Sequence, residues 1–294
     1  MAPSPPRRFL DHLDRLDPLP SEIAAAEKHA QTIKTRLQLC FGPKTTLKMV
    51  GSHARGSAVR SLSDVDYFAM LPRAEARWDE QYVRSENFLN RVKSELAGRY
   101  QKTDISRSGQ AVVLHFKAGE RPVDVVPGFF LGFRGSTPIY RIPAGYDGQW
   151  LDTSPESHNR FLRRADEESR GKLKYLTQLV KFWKNCRSIE VPLSSLHVEL
   201  LLSKSGICSG VKSYPAMLAM LFDLLHTRKC ASFADPLNIS GMVRSASSAS
   251  RLTSVIEAVE HARNLSMRGI RAEAAGHMTE ANACWNRVFN DRLP

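Results

Sequence analysis

Asp64-Val65-Asp66 heads an apolar run, Tyr67-Phe68-Ala69-Met70-Leu71, that is closed by Pro72. Side chains at i and i+2 of a strand share a face, so Asp64 and Asp66 project together from one strand end. Two carboxylates side by side repel unless a cation stands between them, and hard divalent cations take carboxylate oxygens. Upstream, Leu47, Met49 and Val50 form an apolar lead into Gly51-Ser52 and a short helix. A Gly-Ser turn entering a helix presents backbone N–H groups and a hydroxyl, which suits phosphate. The stretch therefore predicts strand, tight turn, short helix and second strand, with a phosphate cradle beside a metal site. That combination points to chemistry on a nucleoside triphosphate.

Asp-x-Asp alone is a common pair, and as a solvated turn it would carry no chemistry. A third acid changes its weight. Asp124 stands inside Val123-Asp124-Val125-Val126-Pro127, where an unpaired carboxylate is costly if buried. By itself it reads as an edge residue facing solvent. Beside Asp64 and Asp66 it completes the set that two metal ions about 3.5–4 Å apart require to clamp the attacking and leaving oxygens of an in-line displacement. One metal would bind the triphosphate. The other would lower the pKa of an incoming hydroxyl, with Asp124 as ligand and candidate base.

The rest of the chain separates into two halves. Residues 1–20 read as a partly ordered lead-in. Ile23, Ala26, Ala30, Ile33 and Leu37 predict a helix ended by Phe41-Gly42-Pro43. A second helix is expected from Ala74 to Tyr100, and two short β-branched runs, 111–116 and 123–126, lie a hairpin apart. Pro127 to Asp152, rich in Gly, Pro and aromatic residues, reads as loop. From Ser154-Pro155 onward the spacing is helical, with Leu173, Leu176, Leu179, Val180 and Trp183 as one apolar stripe. Further helices are expected at 194–203, at 216–225 and within 249–289. The resulting division is an α/β half, 1–150, and a helical half, 151–294.

Lys and Arg number 42 against 30 Asp and Glu, a formal charge of +12, which favours nucleotide or nucleic-acid partners and equally describes a solubilising surface. The five cysteines are widely spaced without a C-x-x-C. That argues against a zinc site or disulfide framework and for a reducing compartment. No apolar run reaches the roughly 20 residues of a membrane span, and the N-terminus lacks the apolar core of a signal peptide. A cytoplasmic protein without a membrane partner is the expectation.

Gly51-Ser52, Arg55-Gly56-Ser57 and Ser63-Asp64-Val65-Asp66, followed by Asp124, resemble the signature of the polymerase-β-like nucleotidyltransferases. The resemblance implies an α+β fold: a catalytic core with a mixed sheet, followed here by a helical C-terminal half. It implies that Gly51 and Ser52 bind the triphosphate, and that Asp64, Asp66 and Asp124 hold two Mg²⁺, for which Mn²⁺ can substitute. The Lys-rich helix carrying Lys172, Lys174, Lys181, Trp183 and Lys184, then Ser195-Leu196-His197-Val198-Glu199-Leu200-Leu201, is similar to the cyclic GMP–AMP synthase/DncV-like group. So are Asp235-Pro236 before Asn238 and the closing Trp285-Asn286-Arg287-Val288-Phe289.

That likeness assigns Lys181 and Ser195 to the donor triphosphate, with Lys184 as the alternative lysine. An ammonium on a helix face and a hydroxyl at a helix start both suit phosphate. Leu196 stands where many relatives carry an aromatic to stack on the donor base. His197 reads as a packed helix histidine or a base reader, and Arg55 and Arg60 as phosphate contacts or solvated residues. The implied function is Mg-dependent synthesis of a cyclic di- or oligonucleotide second messenger in bacterial anti-phage signalling. Nucleoside triphosphates serve as donor and acceptor, an effector protein responds to the product, and no long nucleic acid is required. The alternatives are a template-free RNA or oligoadenylate-type nucleotidyltransferase and an inactive nucleotide-binding scaffold.

Overall fold

The computed structural model describes residues 3–116, 120–145 and 148–293. In chain order it contains α1 (Pro5–Leu13), α2 (Pro20–Phe41), β1 (Thr46–Met49), the short α3 (Gly51–Arg55) and β2 (Val65–Met70). A 3₁₀ turn leads to the small hairpin β3 (Arg77–Trp78) and β4 (Gln81–Tyr82), then to α4 (Ser85–Arg99). Five strands follow: β5 (Asp104–Ser108), β6 (Ala111–His115), β7 (Val123–Arg134), β8 (Thr137–Pro143) and β9 (Trp150–Thr153). The remainder is helical, with α5 (Pro155–Glu168), α6 (Lys172–Asn185), α7 (Ser195–Ser205), α8 (Tyr214–Thr227), α9 (Ala249–Ala274) and α10 (Met278–Val288), interrupted by the hairpin β10 (Phe233–Ala234) and β11 (Met242–Val243). Two compact units result, one of Pro18–Phe161 with Leu237–Ser240, the other of Met1–Asp17, Leu162–Pro236 and Gly241–Pro294.

The sheet unit has the order β1-β2-β7-β6-β5, with β8 and β9 continuing from β7. Only β2 and β7 run parallel; the other neighbours are antiparallel, so the sheet is mixed. One face of β2, with Val65, Tyr67 and Ala69, joins Val123, Val125 and Leu114 in a core closed by Ile33 and Leu37 of α2 and by Phe88, Val92 and Leu96 of α4. The opposite face carries Phe68 with Tyr140 and Ile142. Alternation along β2 thus sends its odd residues into the core and Asp66 to the other side.

Three expectations are corrected. The helix expected from Ala74 is broken at Asp79 and Glu80, both at positive φ (46° and 63°), which turn β3 into β4. Trp78 is therefore exposed in this hairpin, and Tyr82 stacks on Phe129 at 5.3 Å. The loop expected over 127–152 is largely strand, since β7 runs on to Arg134 and is followed by β8 and β9. Pro127 fits because it falls where β7 has left β6, paired as far as Val125, and has not yet met β8, paired from Phe129; its missing N–H breaks no ladder bond. Gly128 fits because a Cβ there would come within 2.8 Å of the Arg141 carbonyl oxygen and the Phe68 ring.

The third correction concerns the N-terminus, where residues 5–13 form a helix in the second unit rather than a lead-in. Phe9 is fully buried, edge-on to Trp285 at 5.0 Å and Phe289 at 5.7 Å. In the same unit Trp183 of α6 is buried against Phe222 of α8 at 4.9 Å, so the predicted apolar stripe is the core of this helical unit.

Candidate active site

β2 and β7 are in parallel register, with Asp66 directly opposite Asp124. Residues opposite each other on neighbouring strands share a face, about 4.8 Å apart, so the two carboxylates stand side by side. The Asp124 Oδ1 is buried and has no hydrogen-bond partner. Burial first, then the charges of Asp66 and Asp64, push the Asp124 carboxyl up to about 7. A buried, partnerless carboxylate oxygen facing further negative charge is costly by itself and well placed to receive a cation.

The Gly-Ser turn is built against this pair. The β1–β2 ladder is extended by Val50 N–H donating to the Asp66 carbonyl at 2.9 Å, which brings Gly51 alongside Asp66. Gly51 has φ +63°, and a Cβ there would lie 2.0 Å from Asp66 Oδ2. Glycine is thus required twice, for backbone conformation and for the space the carboxylate occupies. Ser52 follows as a buried residue of α3, and its carbonyl accepts from Ser57 N–H at 2.9 Å.

Asp64 precedes β2 in the turn and is about half exposed. Its Oδ1 accepts a hydrogen bond from Arg121 Nη2 at 2.8 Å. Arg121 was not singled out in the sequence, since its partner stands 57 residues earlier in the chain. Among the described residues, no group of three Asp, Glu, His or Cys side chains already closes on a point as a metal site. The donor set is open, yet its chemistry fits a divalent cation: hard oxygen ligands, one of them buried and unsatisfied.

The remaining expected residues belong to the helical unit. Lys181 is buried with its Nζ 3.5 Å from Oε1 of the fully buried Glu199, an arrangement in which each charge offsets the desolvation of the other. Lys184, one turn on, meets Ser195 Oγ at 3.5 Å and Glu190 at 3.2 Å. Ser194, not Ser195, caps α7, its hydroxyl accepting from His197 N–H at 3.3 Å. His197 is packed: its Nδ1 lies 3.3 Å from the Val243 carbonyl, its ring is 4.8 Å from Phe233, and burial lowers its pKa. Leu196 is partly exposed beside it. In the sheet unit Arg55 donates to Asn159 Oδ1 at 2.9 Å.

Comparison with known proteins finds curated relatives, a solved structure of similar fold and a matching family. A probable cyclic nucleotide synthase of Bacillus cereus is 26% identical over 221 residues, covering 74% of this chain and 65% of that protein. The cyclic AMP-AMP-AMP synthase of Escherichia coli is 26% identical over 217 residues, covering 67% of this chain and 63% of that protein. The chain thus spans somewhat less than two thirds of the length of these curated relatives. A solved structure of E. coli CdnC with ATP superposes with a TM-score of 0.74 at 20% identity, covering 98% of each chain, a likeness of fold with the polymerase-β-like core. Residues 4–165, more than half of the chain, match the Second Messenger Oligonucleotide or Dinucleotide Synthetase domain. With the opposed Asp66 and Asp124 and the glycine turn packed on them, that match establishes that the chain belongs to this synthetase family, within the cGAS/DncV-like nucleotidyltransferases.

Proposed function

We propose that the protein is a divalent-metal-dependent nucleotidyltransferase that joins nucleoside triphosphates into a cyclic di- or oligonucleotide second messenger. The single observation that carries this reading is the side-by-side Asp66 and Asp124, with the partnerless Asp124 Oδ1 and Gly51 fitted against Asp66. In each transfer a ribose hydroxyl oxygen bonds to the α-phosphorus of a second nucleotide, the bond from that phosphorus to the bridging oxygen breaks, and pyrophosphate leaves. Mg²⁺ or Mn²⁺, when bound, supplies most of the charge neutralisation such a transfer needs.

The chain's own residues do the rest. Asp64, Asp66 and Asp124 would hold the ions. Asp124, whose Oδ1 is buried without a partner, is also the proposed acceptor for the proton of the attacking hydroxyl. Gly51 and Ser52 would receive the triphosphate through the turn at the start of α3. Lys181 and Ser195 remain the proposed donor-phosphate contacts of the helical unit, and Lys184 joins them because it already meets Ser195.

The names of the two curated relatives, a probable cyclic nucleotide synthase and a cyclic AMP-AMP-AMP synthase, support cyclic products over RNA extension. The proposal includes a role in anti-phage signalling through an effector that reads the product. Among the described residues no helix is long and apolar enough to cross a membrane.

The test is incubation of the purified protein with the four ribonucleoside triphosphates and Mg²⁺ or Mn²⁺, phosphatase treatment and mass spectrometry. A phosphatase-resistant cyclic product, absent from the Asp64→Ala/Asp66→Ala double variant, is the expected result. Label entering only added RNA would instead favour the template-free RNA enzyme, and nucleotide binding without pyrophosphate release would leave a scaffold.

A further inference from the structure

We infer that Arg121 is a positioning residue that sets Asp64 for cation binding; this rests on the metal-dependent reading above. Asp66 and Asp124 are fixed by the parallel ladder of β2 and β7. Asp64 has no such support, since β2 begins at Val65 and the Asp64 side chain is about half exposed. What holds it is one guanidinium. Arg121 Nη2 donates to the Leu62 carbonyl and to Asp64 Oδ1, each at 2.8 Å, and Nε donates to the Ser63 carbonyl at 3.4 Å.

Three consecutive residues are thus gripped from the segment that enters β7. The next link is also local, because Val65 N–H donates to the Pro122 carbonyl at 3.1 Å. Arg121-Pro122 therefore docks the whole approach to β2 on the approach to β7, and it does so through Oδ1, leaving Oδ2 for the ion. A planar fork with several donors can hold acceptors on one backbone and one carboxylate together; a lysine ammonium is a point charge on a flexible stem.

The alternative role for a cation beside a metal-binding carboxylate is competition, and the two roles have opposite signs. By Coulomb's law alone, removing the arginine makes the potential around Asp64 more negative and tightens binding of a divalent cation. If Arg121 positions Asp64, removing it loosens binding, as loss of a residue that orients a metal ligand does, by about tenfold or more.

The experiment titrates Mn²⁺ into wild-type, Arg121→Met and Arg121→Lys proteins, reading free Mn²⁺ by electron paramagnetic resonance. Circular dichroism checks folding, and amide hydrogen exchange over residues 59–65 is followed in the metal-free proteins. Positioning predicts weaker Mn²⁺ binding by about tenfold or more in both variants, with faster exchange in the segment although the fold is retained. Tighter or unchanged Mn²⁺ binding in a folded variant overturns it. If Arg121→Met does not fold, Arg121→Lys, which keeps charge and stem, decides by the same criterion. If neither folds, Arg121 is structural and the inference fails. Absence of saturable Mn²⁺ binding in the wild type would remove the metal-dependent reading itself, a distinct outcome.

Discussion

Asp124 is a residue whose chemistry departs far from its ordinary behaviour. Its pKa is raised, so in the metal-free protein the folded state binds a proton that the unfolded chain releases between about pH 4 and 7. Stability from this group is present below the unfolded pKa and is lost as pH rises through the folded one, to a maximum of roughly 4 kcal/mol. Thermal unfolding in chelator should therefore show Tm falling from pH 4 towards 7. Asp124→Asn should flatten that slope while abolishing synthesis, and added Mn²⁺ should restore wild-type Tm near pH 7. Gly51 makes a second residue-scale prediction. Gly51→Ala places a methyl 2.0 Å from Asp66 Oδ2 on a positive-φ backbone, so Asp66 must move. Backbone strain alone costs about 1–3 kcal/mol; product formation should drop below detection by mass spectrometry while circular dichroism still reports a folded protein. Both positions were legible in the sequence, because a Gly-Ser turn and spaced acids are local patterns. Arg121 was not, because its partners lie 57 to 59 residues away in sequence.

Elements show a similar divide. The helices with a clear 3.6-residue stripe, α2 and α6, are legible because one buried face dictates the spacing. β7 and β8 are not, because Pro127, Gly128 and Gly132 look like loop residues until their neighbours are known. Each is tolerated for a tertiary reason: a gap between two strand partners, a close crossing by β8, and a bulge between Phe130 and Gly132. The prolines and mixed charge of α1 read as a partly ordered lead-in, although Pro5 suits the first turn and Phe9, His12 and Leu13 share a buried face. The helix makes its own prediction. Phe9→Ala should destabilise the helical unit by about 3–5 kcal/mol, seen as a lower unfolding midpoint. Trp78→Ala, at an exposed position, should stay within about 0.5 kcal/mol.

For the molecule as a whole, the formal charge of +12 attracts polyanions without saying which. A cationic surface raises encounter rates with triphosphates and long nucleic acids alike. The proposed acceptor is a mononucleotide, so nuclease treatment of the purified protein, or addition of RNA, should leave the yield of cyclic product unchanged in the mass-spectrometric assay. A nuclease-sensitive yield would mean that a nucleic acid belongs to the active assembly. The charge narrowed the partner class, and the proposed reaction rests on the carboxylate geometry, not on the charge.

By itself the sequence held the pattern on which the proposed transfer chemistry rests. Three acids, a Gly-Ser turn and the order of strand and helix are short-range patterns whose meaning depends on residue type and spacing. It also determined that a helical half follows, through the period of its apolar residues. Only the tertiary structure decided which residues support those acids. Strand register put Asp66 opposite Asp124, burial left one Asp124 oxygen without a partner, and a distant arginine took hold of Asp64. Register, burial and long-range hydrogen bonds arise when segments far apart in the chain pack together, and no local pattern encodes them.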